Sequence, residues 1–176
     1  LYRRGKAGEP NQFGRLVFVF EDGAGFISHY HLMDRESQDA DVVVEQTRKA
    51  QKIHRGEIET ASFDRGFYSE ENEMELSKIV DQVCVPPRHP GQYAERLSGA
   101  SVEFHRARQR HSGIESAIGA LQSGNGLSRC RDHSSVGYDR YVGLGVLGRN
   151  LFVLGKQLLR REAPQSRAAA SKRQAA

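Results

Sequence analysis

The sequence predicts a mixed α/β fold, an antiparallel hairpin followed by two parallel strands joined through helices. Three observations point there. Leu16-Val17-Phe18-Val19-Phe20 is an unbroken apolar run, as in a strand covered on both faces, and Asp22-Gly23-Ala24-Gly25 behind it is a hairpin turn signal. Asp39–Lys52 carries Val42, Val43, Thr47 and Ala50 at helical spacing. Two further β-leaning runs, Glu57–Phe63 and Gln82–Val85, flank a second helical stretch, which is the layout of a strand–helix–strand unit.

Taken in order, Leu1–Gln12 reads as loop, broken by Gly5, Gly8 and Pro10. Its Lys6 is a solvated cation or a phosphate contact. Gly14–Glu21 and Phe26–Met33 form the hairpin. On the return strand His29 and His31 share a face, as a polar strand face or, less in keeping with the pattern, a metal pair. Asp39 or Asp41 can cap the first helix, and Gly56 closes that region. Ser69-Glu70-Glu71-Asn72 opens the second helix, which is expected to reach Val80 and bury Met74, Leu76 and Ile79. Pro86-Pro87 ends the Gln82–Val85 strand. Tyr93–Leu97 suits a short helix, Val102–Arg110 a helix dense in Arg and His, and His111–Gln122 a further helical stretch. Gly137–Leu159 is the longest helix, its glycines suited to close contact with a neighbour.

The chain has 176 residues, enough for one core-bearing domain over 1–160, with 161–176 as a basic tail too polar to fold. A net charge of +4, concentrated in Arg96–His111 and Arg160–Arg173, suits a nucleic-acid partner without requiring one. Cys84 and Cys130 are the only cysteines and form no CxxC pair, which argues against a zinc ribbon and for a reducing, cytoplasmic setting. Leu1–Asn11 has no apolar signal core, and glycines and charges interrupt the apolar run Tyr141–Leu159, so neither export nor a membrane span is indicated.

The stretch Ser62-Phe63-Asp64-Arg65-Gly66-Phe67-Tyr68-Ser69 carries the chemistry. An aspartate at the C-terminal tip of a strand is where α/β folds often place a metal ligand. The alternative is a turn aspartate that bonds only its own backbone. Glu115 is a second candidate carboxylate, or else an ordinary surface residue on an amphipathic helix. Arg108, Arg110 and His111 precede it closely enough to share its helix and meet phosphate, or to form a solvated basic face.

Four segments in order, RGKAGEPNQFGRLVFVFEDGAGFI, ASFDRGFYSEEN, RQRHSGIESAIGALQ with GLSRCRDH, and GYDRYVGLGVLGRNLFVLG, resemble the C-terminal part of bacterial insertion-sequence DDE transposases of the IS4, IS5 and ISNCY groups. The resemblance spans nearly the whole chain apart from the tail. It implies a ribonuclease H-like catalytic domain in which three carboxylates bind two Mg2+ ions, cut DNA at element ends and join the 3′ hydroxyls to target DNA. It implies DNA as partner and a homodimer as the working state. Asp64 matches the second carboxylate of the family and Glu115 the glutamate. Hard oxygen ligands suit Mg2+, and two such ions can clamp both oxygens of an in-line phosphoryl transfer.

The departures are specific. Arg108, His111 and Gln122 stand where one branch of the family has tyrosine, arginine and lysine. No residue before Gly14 matches the first aspartate or its strand. The expectation is therefore an incomplete ribonuclease H-like mixed sheet, a hairpin plus two parallel strands without the central first strand, in a chain truncated at its N-terminus, catalytically inactive and marginally stable. The competing readings are a non-enzymatic basic DNA-binding module and another ribonuclease H-like nuclease with an acidic triad such as Asp39, Asp64 and Glu115.

Overall fold

A computed structural model describes residues 2–3, 11–12, 14–87, 89, 91 and 99–174. Lys6 and the expected Tyr93–Leu97 helix lie outside the described residues. The fold is mixed α/β, and among the described residues the strands form three two-stranded sheets. The chain divides into two compact units, one of Leu1–Phe20 with Ser28–Ile114, the other of Glu21–Ile27 with Glu115–Ala176. The sequence reading treats 1–160 as one domain. The division falls inside a hairpin and inside a helix, so no Gly- or Pro-rich linker marks it.

In the first unit, β1 (Tyr2–Arg3) pairs antiparallel with β2 (Asn11–Gln12) in a segment read from sequence as loop. Two-residue strands leave no hydrophobic period to detect. The hairpin pairs β3 (Val17–Glu21) with β4 (Ile27–Leu32), and Met33 N donates to Leu16 O at 3.0 Å. Helix α1 (Asp39–Ile53) turns Val42, Val43, Gln46, Thr47 and Ala50 inward. Its cap is Gln38, not Asp39 or Asp41. Asp41 instead reaches back to accept the Gln38 N–H at 2.7 Å, and both acids lie in the first turn, where the helix dipole favours them. The helix closes at Gly56, whose φ is +86° and whose N–H donates to Gln51 O at 2.9 Å.

Strand β5 (Thr60–Ser62) is shorter than the expected Glu57–Phe63 run because Gln51 occupies the backbone before it. The Gln51 amide accepts from Ile58 N at 2.9 Å and donates to Ile58 O and Ile79 O at 3.0 Å each. Ser69 accepts the Asn72 N–H at 3.0 Å and caps α2 (Glu70–Leu76), which gives way to turns before the expected Val80. Leu76 is fully buried, Ile79 is half-buried, and Met74 is exposed, contrary to its expected burial. A seven-residue helix turns one face inward, and Met74 falls off it.

Strand β6 (Gln82–Cys84) runs parallel to β5 in the register Thr60↔Gln82, Ala61↔Val83 and Ser62↔Cys84. Val43, Ala61, Phe63, Leu76, Val80 and Val85 form the core between this pair and the helices. Among the described residues the hairpin and the parallel pair share no strand hydrogen bonds. Aromatic rings meet instead, Phe20 with Phe63 at 6.5 Å and Phe18 with Phe67 at 5.8 Å.

Helix α3 (Val102–Gly119) runs through both Val102–Arg110 and the start of His111–Gln122 as one element. Within the first unit its Phe104 and Ala107 pack on Cys84.

In the second unit the hairpin tip is closed by Asp22, whose Oδ1 accepts from Ala24 N and Phe26 N at 2.9 Å each. A π-helical turn, Ala120–Gly124, leads toward α4 (Ser134–Gln174). Ala117, Leu121, Val142, Val146 and Val153 are buried in this unit. Close approach explains Gly145, where a Cβ would lie 2.9 Å from Leu127 Cδ2. Helix α4 continues through Pro164 to Gln174, where the sequence suggests a disordered tail. Ala168–Ala170, Lys172, Arg173 and Gln174 are strong helix formers, and that propensity opposes the polar composition. Among the described residues no helix is long and apolar enough to cross a membrane.

Candidate active site

Asp64 stands just past the C-terminal end of β5, on extended backbone (φ −73°, ψ 162°) leading into the 3-10 turn Arg65–Phe67. Phe63 N donates to Cys84 O at 2.9 Å and carries the parallel pairing up to this point. Phe63 faces the core, so the alternation of a strand turns Asp64 the other way, and its side chain is 71% exposed. It makes no capping bond to its own turn. Its partner is His111 of α3, whose Nε2 lies 3.1 Å from Asp64 Oδ1. An ionised carboxylate only accepts, so Nε2 carries the proton in this contact.

Arg108 is one turn earlier on the same helix, and its Nη1 donates to Phe63 O at 3.3 Å. Phe104, Ala107, Arg108 and His111 therefore form one face of α3. The apolar pair docks on Cys84, and the polar pair engages the end of β5. Of the three residues proposed to meet phosphate, the structure places Arg108 and His111 at Asp64, while Arg110 is exposed on another side of the helix. Glu115 is exposed and belongs to the second unit, so it is not brought to Asp64 within the first. The pairing of His111 with Asp64 was not anticipated. Its available signal is the spacing 104, 107, 108, 111, which marks a docked helix face.

The turn after Asp64 is tightly packed. A Cβ at Gly66 would lie 3.1 Å from Asp39 Oδ2, so Gly66 admits the Asp39 carboxylate against its backbone. Among the described residues no three His, Cys, Asp or Glu side chains are grouped closely enough to hold a metal ion. On β4, His29 Nε2 lies 2.9 Å from Gln46 Oε1, which gives it a place in the packing against α1. Burial, then Lys49, hold the neighbouring His31 below the ordinary imidazole range. Burial also pushes the Cys84 thiol up.

No family model matches the chain, and no curated protein or solved structure matches it at a significant level.

Proposed function

We propose that the chain belongs to a metal-dependent DNA strand-transfer domain of the ribonuclease H-like, insertion-sequence transposase kind. The observation that carries this reading is Asp64, an exposed carboxylate at the exit of a parallel strand, with its oxygen held by His111 of α3. Among the described residues the parallel pair β5–β6 supplies the strand end on which Asp64 stands, the position such a domain gives a metal-binding carboxylate. Asp64 and Glu115 are assigned as two of the family's three carboxylates and as ligands of Mg2+. The donor set suits a hard cation, since the bond from His111 to Asp64 Oδ1 leaves the carboxylate further lone pairs. When bound, such ions would polarise phosphate oxygens in strand cleavage and transfer. Within the chain His111 holds Asp64 and Arg108 holds the carbonyl before it, and the exposed Arg110 is left to meet a DNA backbone in the cytoplasm.

The test is Mn2+ binding by electron paramagnetic resonance on the chain and on its Asp64→Asn and Glu115→Gln variants. Weakened binding in both supports the assignment, and unchanged binding in both overturns it. A second reading, a non-enzymatic DNA-binding module, is favoured by the exposed Arg106 and Arg110 of α3 and Arg160 and Arg161 of α4. It predicts salt-dependent DNA binding that survives loss of both carboxylates.

A further inference from the structure

The loop 125–133, between the π-helical turn and α4, begins with Asn125-Gly126. In this pair an asparagine side chain closes readily on the chain behind it, because glycine neither shields its own amide nitrogen nor restricts its backbone. Both residues are half-buried and follow the exposed Ser123 and Gly124, so water reaches them. Among the described residues the Gly126 N–H has no hydrogen-bond partner, which leaves its nitrogen untied.

We propose that Asn125 is a self-modification site, converted to isoaspartate through a succinimide at a rate set by the fold of the second unit. In the first step the Gly126 nitrogen attacks Asn125 Cγ. The N–Cγ bond forms, the Cγ–Nδ2 bond breaks, the Gly126 amide proton passes through water to the departing nitrogen, and ammonia leaves. In the second step water opens the ring at one of its two carbonyls. Attack at Cγ gives aspartate. Attack at the main-chain carbonyl gives isoaspartate, whose backbone runs through the side-chain methylene. Water is the only co-reactant.

The native backbone opposes the first step. Ring closure needs the Gly126 nitrogen to eclipse Cβ about the Asn125 Cα–C bond. The Asn125 ψ is 12°, so that nitrogen nearly eclipses Asn125 N instead, and Cβ stands roughly a third of a turn away.

Contacts on both sides resist the swing. Asn125 N donates to Ala120 O at 3.0 Å, Leu127 N to Leu121 O at 3.0 Å and Ser128 N to Gln122 O at 3.1 Å. The Tyr141 hydroxyl of α4 lies 3.0 Å from Gly126 O and 3.2 Å from Arg129 O, and donates between them. A Cβ at Gly148 would lie 2.9 Å from Asn125 Nδ2, so the bare helix backbone there seats the amide. Cyclisation therefore waits on local opening of the loop from α4.

The product no longer fits this seat. A carboxylate stands where the amide lay, and the added backbone methylene displaces Gly126 and Leu127. Leu127 is the side chain that fills the space over Gly145. The modification is thus a one-way loosening of the loop, and it is independent of the reading of Asp64.

The experiment follows isoaspartate at Asn125 in the full chain over time by peptide mass spectrometry that separates aspartyl from isoaspartyl forms. The parent is compared in buffer and in guanidinium chloride, with Tyr141→Phe in buffer. Conversion should be roughly tenfold or more faster in the unfolded chain. Tyr141→Phe should speed it by a factor of roughly three to ten in buffer, the effect of losing one hydrogen bond from the closed loop. No isoaspartate at Asn125 in the unfolded chain overturns the site, and equal rates in buffer and denaturant overturn its control by the fold. Should Tyr141→Phe lose its helical circular dichroism spectrum, Gly148→Ala, which crowds the Asn125 amide out of its seat, takes its place. A rate in that variant no higher than the parent's also overturns the proposal.

Discussion

His111 donates its Nε2–H to Asp64 Oδ1 across 3.1 Å, tying the middle of α3 to the end of β5. The imidazole is only 14% exposed while the carboxylate is 71% exposed, so the buried partner orients the open one. A single hydrogen bond to a carboxylate this open to water contributes little to stability, about 1 kcal/mol. Its value lies in positioning. His111→Ala should leave the urea midpoint nearly unchanged and weaken Mn2+ binding roughly tenfold or more, the usual cost of losing a group that orients a metal ligand. A large stability loss with unaltered metal binding would show that the contact only supports the fold.

Gln51 makes a different kind of tie. Its one side chain satisfies both backbone groups of Ile58 and the carbonyl of Ile79, joining the end of α1 to the approach to β5 and the end of α2. Gln51→Ala strands these partly buried groups and should destabilise the chain by about 1–3 kcal/mol. Gln51→Glu keeps the acceptor for Ile58 N but turns a carboxylate oxygen toward two carbonyls, and should fare no better. Urea denaturation decides. A variant within experimental error of the parent would mean that water replaces the amide at no cost.

How far the sequence disclosed this fold depends on the range of each interaction. The Asp22–Gly25 turn, the inward stripe of α1 and the Ser69 cap rest on residues a few positions apart, and each forms as expected. Two-residue strands, the division into two units and the separation of the hairpin from the parallel pair leave no local period. The site divides in the same way. Asp64 at a strand end was legible from its neighbours. Its partner His111 is 47 residues away, and residue type alone does not choose between phosphate and carboxylate as the imidazole's target. Gln51 shows the same limit, since a side chain that replaces strand pairing shortens β5 without altering its apolar pattern.

His31 gives the first unit a pH dependence of definite sign. Burial is the main cause of its lowered pKa. Lys49 and His29 act in the same direction, while Glu45 and Asp34 oppose them. The unfolded chain therefore takes up a proton near the ordinary value of about 6.5, before the folded chain does. The contribution to stability is intact above that value and falls as pH drops through it toward the lower folded pKa. Urea midpoints at pH 7.5 and 5.5 should differ more for the parent than for His31→Asn. Equal slopes in the two proteins would remove His31 as the cause.

The two cysteines should report folding by their chemistry. Cys84 is fully buried beneath Phe104 and Ala107, and burial raises its thiol pKa, so both access and thiolate formation are suppressed. Cys130 is partly exposed in the second unit. Under native conditions an alkylating reagent should modify Cys130 quickly and Cys84 only as fast as the first unit opens, with both equally reactive in urea. Mass spectrometry of timed samples separates the sites. Fast labelling of Cys84 without denaturant would mean that the core around β6 opens under native conditions.

Asn150 holds the hairpin tip to α4 by copying a strand. Its Oδ1 accepts from Ile27 N and its Nδ2 donates to Ile27 O, each at 2.9 Å, so one side-chain amide meets both backbone groups of a residue that is 3% exposed. Gln157 Nε2 adds a bond to Ala24 O at 2.9 Å two turns further along the helix. Unpaired backbone groups at a buried position are costly, so Asn150→Ala should destabilise the second unit by about 1–3 kcal/mol. Asn150→Asp is the sharper test. It keeps the acceptor for Ile27 N and its near-identical shape, but places a carboxylate oxygen against Ile27 O. The Ile27 amide should stay protected from hydrogen exchange in Asn150→Asp at pH values where the new carboxyl is protonated and can donate. Protection should fall as that carboxyl ionises and repels the carbonyl. In Asn150→Ala, protection should be lost at every pH. If Ile27 exchanges at the parent rate in both variants, the amide pairing does not hold the tip, and the Arg149–Glu21 ion pair at 3.6 Å becomes the alternative anchor.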